Sequence, residues 1–445
     1  MLCYNRNMDT SKKKSQFWDK QRETISVADL KSLQMAKLRE SVAFVIEHSG
    51  LYTRRKKLSS NDANFNSLDE FSKKIPLTTK EDLLQSELYE NLCVPKKDLV
   101  EVHSSSGTSA KPVYSFLTKQ DIQKSSEYLA RTWYMQGIRE ESSFALLASY
   151  GLFSAGLLNH YAIQQIESFI IPVGGSSALK TLGILREFSV DSCAAVASYY
   201  PYLIAMAKQN NIRLNDLRLR HIIAGGEPFS ENQRCHVEKE LNAIMYDQYG
   251  LCEINTGIAG ECAEKNGLHV LADYVYPEIV HPASGEVLGE DQDGELVLTT
   301  FHKQASPLVR YRTGDITSIS YAPCPCGRTM PRISRIKRRV TDTLFYKGIK
   351  IEKSYITKLM EDLRDYLNPY IWQMELNSYA GRDEAVLKIV LEQGGGESAL
   401  DNITAHLQKN LDFKIKTRIF TADELARIEN SKLKNFLDNR NRPTA

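Results

Sequence analysis

What most constrains this chain is a series of short apolar segments between Pro95 and about Gly250, each ending in small residues and each followed by a helical pattern. ESSFALLAS, ESFIIPV, DSCAAVAS and LRHIIAGG read as buried strands, while KQDIQKSSEYLARTWYMQG and FSAGLLNHYAIQQI read as helices. Strands that are apolar on both faces and alternate with helices build a largely parallel sheet covered on both sides. Ligands bind such sheets beyond the carboxyl ends of the strands. DLVEVHSS reads as another such strand, so His103 to Ser109 is expected at one carboxyl end and Ala224 to Pro228 at another.

The flanking regions differ. From Ser26 to about Ser86 the apolar spacing is helical, with Ser26 as one N-cap and Thr78 or Thr79 as another. From Gly267 to Ser320 strands are shorter and interrupted by Pro, Gly and Asp, which predicts a small β-rich subdomain over about 267–335. After about Arg339 the order is strand, helix, strand pair, helix, strand, as in a small α+β module. The expected fold class is therefore α/β: a large N-terminal domain over 1–338 of mostly parallel sheets with helices, and a small α+β domain over 339–445. A length of 445 residues exceeds what one core supports and agrees with this division.

A net charge of +2 offers no basic footprint for a nucleic acid. No run of 18 apolar residues appears, and the first residues lack the apolar stretch of a secretory signal. A cytoplasmic protein with no membrane or nucleic-acid partner is expected. In that compartment the eight cysteines are expected to be buried thiols or metal ligands rather than disulfides.

Four segments can carry chemistry. SSSGTSAKP, Ser104 to Pro112, offers hydroxyls, freed backbone N–H groups and a lysine to phosphate oxygens. It is not a Walker loop, because Pro112 follows Lys111 where Ser or Thr would open a helix. AGGEPF, Ala224 to Phe229, presents a flat backbone edge suited to a planar base. DQYGLCE, Asp247 to Glu253, pairs an aromatic ring with an acid able to meet Mg²⁺. SPLVRYRTGD, Ser306 to Asp315, ends in an acid that can accept from both hydroxyls of a ribose.

In this order and spacing the four segments resemble the adenylate-forming superfamily, and the phenylacetate–CoA ligase branch most of all. SYGLFSAGLLNHY, GECAEKNGLHVLADYVYPEIV, GELVLTT, PLVRYRTGD and CPCGRTMPRI carry the resemblance over nearly the whole chain. It implies that Ser105, Ser106, Gly107, Thr108, Ser109 and Lys111 hold the phosphates of ATP, and that Ala224, Gly225, Gly226, Glu227 and Pro228 lie beside adenine. It implies further nucleotide contacts from Asp247, Tyr249 and Gly250. Glu253 becomes the Mg²⁺-linked acid, Asp315 the ribose acceptor and Arg339 the arginine of the domain junction. In ENSKLKNFLDNR, Lys432 matches the catalytic lysine best, with Lys434 as the alternative.

Tyr150 and Phe153, with Ala224 and Gly225, match the pocket for the acid, which is expected to be aromatic; Asn159 and His160 are polar residues in the adjoining apolar helix. Cys324 and Cys326 form a close thiol pair, and the family places Cys262 and His269 nearby, which implies a structural Zn²⁺ on all four.

The implied reaction joins a carboxylic acid to AMP, releases pyrophosphate and passes the acyl group to a thiol. Coenzyme A is the first acceptor considered; a carrier-protein thiol or an amine is the second. The C-terminal domain is expected to rotate between the steps, and a homodimer is an expectation from analogy. Three departures from the family pattern stand out: Ala110 replaces a glycine, Arg338 replaces a glycine, and Thr341 replaces a hinge aspartate. They leave open a third reading, a non-catalytic nucleotide-binding protein.

Overall fold

A computed structural model describes residues 15–104, 112–340, 342–346, 349–379, 382–392, 397–422, 424–425 and 435–440. Residues 105–111, expected to hold phosphates, lie outside the described residues, as do Thr341, Lys432 and Lys434.

The N-terminal helices begin at side-chain caps. Ser26 accepts from the Asp29 amide to start Val27–His48, and Thr79, rather than Thr78, caps Lys80–Gln85 in a reciprocal box with Asp82.

The central element is a nine-stranded sheet. Its strands run across the sheet in the order Ile319–Ser320, Arg332–Ile333, Leu268–Val270, Thr256–Glu261, Ile244–Leu251, His221–Gly225, Ser192–Val196, Ser143–Leu146 and Phe169–Pro172. From Ile244–Leu251 to Phe169–Pro172 every pairing is parallel. The pairings on the other side are antiparallel.

Period-two side-chain alternation explains why the parallel strands are apolar throughout. Ile222 joins a core with Leu182, Leu203 and Val237 on one face, whereas Ile223 joins Trp133, Phe144 and Ile163 on the other. Burying each such side chain contributes about 1.5–3 kcal/mol.

Two sequence expectations change here. Leu99–Ser104 is not in the parallel sheet; it pairs antiparallel with Tyr114–Thr118 in a separate two-stranded ribbon. Residues 105–111 therefore fall between the two arms of this ribbon in the chain. The sheet is also only half parallel, because strands of the β-rich region extend it. That region divides between this edge and a four-stranded sheet of Val275–Val280, Gly294–Thr300, Tyr311–Thr317 and Arg338–Arg339.

The smaller C-terminal domain has its own core. Leu367–Tyr379 and Arg382–Leu391 pair antiparallel, with Phe436–Asp438 and Lys416–Ile419 parallel on the outer edges. Trp372, Met374, Leu387 and Ile389 pack with Met360, Ile403 and Leu407 from the helices Lys353–Asp362 and Glu397–Asn410. The segment FYKGIKI forms two short paired strands rather than one. Ile371, Val390 and Leu425 rest against Tyr202 and Ala205 of the large domain, and the Tyr370 ring lies 5.2 Å from His236. Among the described residues, no helix is long and apolar enough to cross a membrane.

Candidate active site

The ends of two adjacent strands set one wall. Ala224 pairs with Asp247 and Gly225 with Gln248. A Cβ on Gly225 would approach the Gln248 carbonyl to 3.1 Å, and Gly226 turns the chain at φ +77°. That backbone conformation is open to glycine and strained for other residues. Glu227 accepts from the Ser198 amide at 2.5 Å and braces the turn that leads to Pro228. Asp247 is buried, and Arg335 donates to it at 2.9 Å. Burial pushes the Asp247 pKa up to about 6 against the opposing pull of Arg335.

Tyr249 and Asp315 meet across two sheets. The Tyr249 hydroxyl donates to Asp315 Oδ2 at 2.7 Å, and Arg339 Nε lies 3.0 Å from Asp315 Oδ1. The register that pairs Asp315 with Arg339 places the guanidinium there, and Arg339 also donates to the Thr313 carbonyl at 2.8 Å. Burial raises the Asp315 pKa, with Arg339 acting in the opposite direction. Gly250 sits at the irregularity in the strand pairing just after Tyr249.

Glu253 follows in the short turn Cys252–Ile254. Tyr311 donates to its carboxylate at 3.4 Å. Its backbone carbonyl accepts from Lys303 Nζ at 2.5 Å and from Ser115 Oγ at 3.2 Å. Glu253, Lys303, Ser115, Tyr114 and Pro112 line a common cleft. The sequence reading missed Lys303, Arg335 and Tyr311. Tyr311 lies inside a recognised segment, but Lys303 stands alone and Arg335 is one of several basic residues between Arg332 and Arg339, so neither position is singled out by its spacing.

Tyr150 and Phe153 precede the helix Ser154–Ile166. The Tyr150 hydroxyl lies 3.0 Å from His160 Nδ1, and Tyr150 remains 37% exposed, so its ring is not core. Between them, the Leu152 carbonyl accepts from the Ser104 amide at 2.8 Å. This bond ties the segment to the strand that enters the phosphate loop.

Cys262, His269, Cys324 and Cys326 come together, with their ligand atoms all within 4.8 Å of one another. The Cys262 and Cys324 sulfurs are 3.8 Å apart, and Cys326 Sγ is 3.3 Å from His269 Nε2. His269 Nδ1 faces the Met330 carbonyl at 3.2 Å, an arrangement that turns Nε2 toward the thiols. Cys93, Cys193 and Cys252 are also free thiols.

No family model matches the chain. The solved structure of 2-hydroxyisobutyryl-CoA ligase in the postadenylation state, in complex with 2-HIB-AMP, matches with a TM-score of 0.84 at 21% identity, covering 98% of this chain and 95% of that one. The fold is thus that of the adenylate-forming acyl-CoA ligases. In sequence, the chain is 30% identical over 438 residues to phenylacetate-coenzyme A ligase of Thermus thermophilus, covering 94% of this chain and 98% of the relative. It is 31% identical over 375 residues to phenylacetate-coenzyme A ligase of Escherichia coli, covering 83% and 84%. The chain belongs to the phenylacetate–coenzyme A ligase family and is an AMP-forming acid–thiol ligase.

Proposed function

We propose that this ligase activates an aromatic carboxylic acid and transfers its acyl group to coenzyme A. The observation that carries this reading is the Tyr249–Asp315–Arg339 cluster, standing with Glu253 beside the hairpin that brackets residues 105–111. An ionised Asp315 would accept from the ribose hydroxyls, with Arg339 stabilising its charge. The backbone edge at Gly225 and Gly226 would lie along adenine. Ser105 to Lys111 would hold the phosphates through backbone N–H groups, hydroxyls and the Lys111 ammonium.

The Glu253 carboxylate is a hard oxygen donor in the cleft, which fits Mg²⁺ shared with phosphate oxygens. When bound, Mg²⁺ screens the phosphate charge that repels the attacking carboxylate. Lys432, or Lys434, would sit between the carboxylate and the α-phosphate during the first step. The exposed Tyr150 ring, together with Phe153, supports an aryl acid, and the Tyr150–His160 pair offers polar groups at the pocket.

The C-terminal domain would turn about the junction near 338–339 to exchange the adenylation and thiol-transfer arrangements. The Cys262, His269, Cys324 and Cys326 cluster would hold a structural Zn²⁺. A tetrahedron with Zn–S bonds of about 2.3 Å sets its sulfurs about 3.8 Å apart, in agreement with the Cys262–Cys324 separation. Four protein ligands leave no open position, so the ion would pin this edge of the sheet rather than take part in the reaction. A cytoplasmic location and a homodimer complete the proposal.

Mass spectrometry of the products from ATP, phenylacetate and coenzyme A tests the acceptor and acid together. The expected product is the aryl-CoA thioester with AMP and pyrophosphate. Adenylate release with no thioester would point instead to a carrier-protein thiol or an amine.

A further inference from the structure

Lys303 is 5% exposed, and the folded chain surrounds it with oxygen acceptors. Its ammonium is 2.5 Å from Ser115 Oγ and 2.5 Å from the Glu253 carbonyl. In the Asn255 amide orientation that satisfies both ends of that side chain, the amide oxygen lies 3.2 Å from Lys303 and the nitrogen donates to the Cys252 carbonyl at 2.7 Å. These three oxygens match the three N–H donors of an ammonium. Burial pulls the lysine's pKa down to about 8, while Asp121, Cys252 and Glu253 favour the charged form.

The acceptors come from different parts of the chain. Ser115 lies on the hairpin arm that leaves the phosphate loop, opposite His103 in the register. Glu253 and Asn255 belong to the turn that ends the central strand. The lysine's own loop is held from a third direction: Asp121, which closes the capping box of helix Lys119–Met135, accepts from the Gln304 amide at 2.6 Å and the Ala305 amide at 3.0 Å. The carboxyl end of Glu253 is held independently by Tyr311.

We propose that Lys303 is a positioning residue for adenylation: by fixing the Glu253 carbonyl to the outgoing arm of the phosphate-loop hairpin, it sets the Glu253 carboxylate at the distance from the nucleotide phosphates at which the two share one divalent cation. This rests on Glu253 being the metal-linked acid. A packing lysine could be replaced by an isosteric apolar side chain with little effect on metal affinity. A positioning lysine could not.

The test uses the full chain and its Lys303→Met, Ser115→Ala and Glu253→Gln variants. Mn²⁺ is titrated into each protein saturated with α,β-methylene-ATP, whose carbon bridge prevents transfer of its adenylyl group, and free Mn²⁺ is read by electron paramagnetic resonance. Lys303→Met is expected to weaken Mn²⁺ binding about tenfold and Ser115→Ala about threefold, with metal-free nucleotide affinity unchanged. Mn²⁺ binding by Lys303→Met as tight as in the parent, while Glu253→Gln binds weakly, overturns the role of Lys303 alone. Parent-like binding by Glu253→Gln overturns the metal reading of Glu253 and this proposal with it. If Lys303→Met does not fold, Ser115→Ala decides: the shift supports the proposal and its absence overturns it.

Discussion

Two polar clusters stand on the central sheet and are built in opposite ways. The nucleotide-side cluster spans two sheets, with Tyr249 from one and Asp315 and Arg339 from the other. Its neighbour Glu253 faces a cleft. The Cys262–His269–Cys324–Cys326 cluster sits on one antiparallel edge and turns its ligand atoms toward each other. An open constellation held by its backbone can accept a ligand and act on it, whereas a closed one can only hold. The first should therefore control rate and affinity, and the second stability.

The largest effect should come from the lysine proposed to act with the open cluster in the first step. Lys432→Ala is expected to slow adenylate formation by about 100- to 1000-fold while thiol transfer from a supplied acyl adenylate stays largely intact. Stopped-flow measurement of each half-reaction checks this, and a loss in Lys434→Ala alone would move the role to Lys434. Next, Asp315→Asn should raise the KM for ATP roughly 10- to 100-fold, because hydrogen bonds to a charged group contribute about 1.5–3 kcal/mol. Steady-state kinetics with the acid saturating will show it; an unchanged KM would detach Asp315 from the ribose.

Cys324→Ser should behave differently. It is expected to lose zinc by elemental analysis and to lower the melting temperature by several degrees, at roughly 2–4 °C per kcal/mol for large domains. The KM for ATP of the folded fraction should hold. A zinc-free parent protein, or a shifted KM in the variant, would erase the contrast between the clusters.

The smallest effect concerns the scaffold they share. Burial lowers the pKa of His221, at the start of the parallel strand His221–Gly225, from 6.5 to about 4. Because the folded value lies below the ordinary one, its contribution to stability is complete above pH 6.5 and is lost as pH falls toward 4. Chemical denaturation should show about 2 kcal/mol of this loss at pH 5 in the parent. The pKa values of His160, His236 and His302 are lowered by burial too, so His221→Phe should still lose stability but about 2 kcal/mol less than the parent between about pH 7 and pH 5.

The strand–helix succession from Ser143 to Gly225 was legible because both faces of those strands are covered, leaving long apolar runs. Ser26 and Thr79 were readable as caps because the side-chain chemistry is local. The error at Leu99–Ser104 has the opposite origin. Its residues alternate in burial as a two-sided ribbon requires, but six residues before a glycine-containing loop look the same in a parallel strand. In the site, the acids and the tyrosine were visible inside recognisable segments. Arg335 beside Asp247, and Lys303 beneath Glu253, depend on contacts across 88 and 50 positions of sequence, which no local pattern encodes. Cys324 and Cys326 are legible from their close spacing and Cys262 and His269 from the resemblance, and the fold brings all four to one point.

The most direct test of the central claim is ATP–pyrophosphate exchange without coenzyme A across a panel of carboxylic acids. The predicted result is exchange that requires Mg²⁺ and an acid and is fastest with phenylacetate or another aryl acid. Exchange that ignores the acid, or none with any acid while ATP still binds, would contradict it.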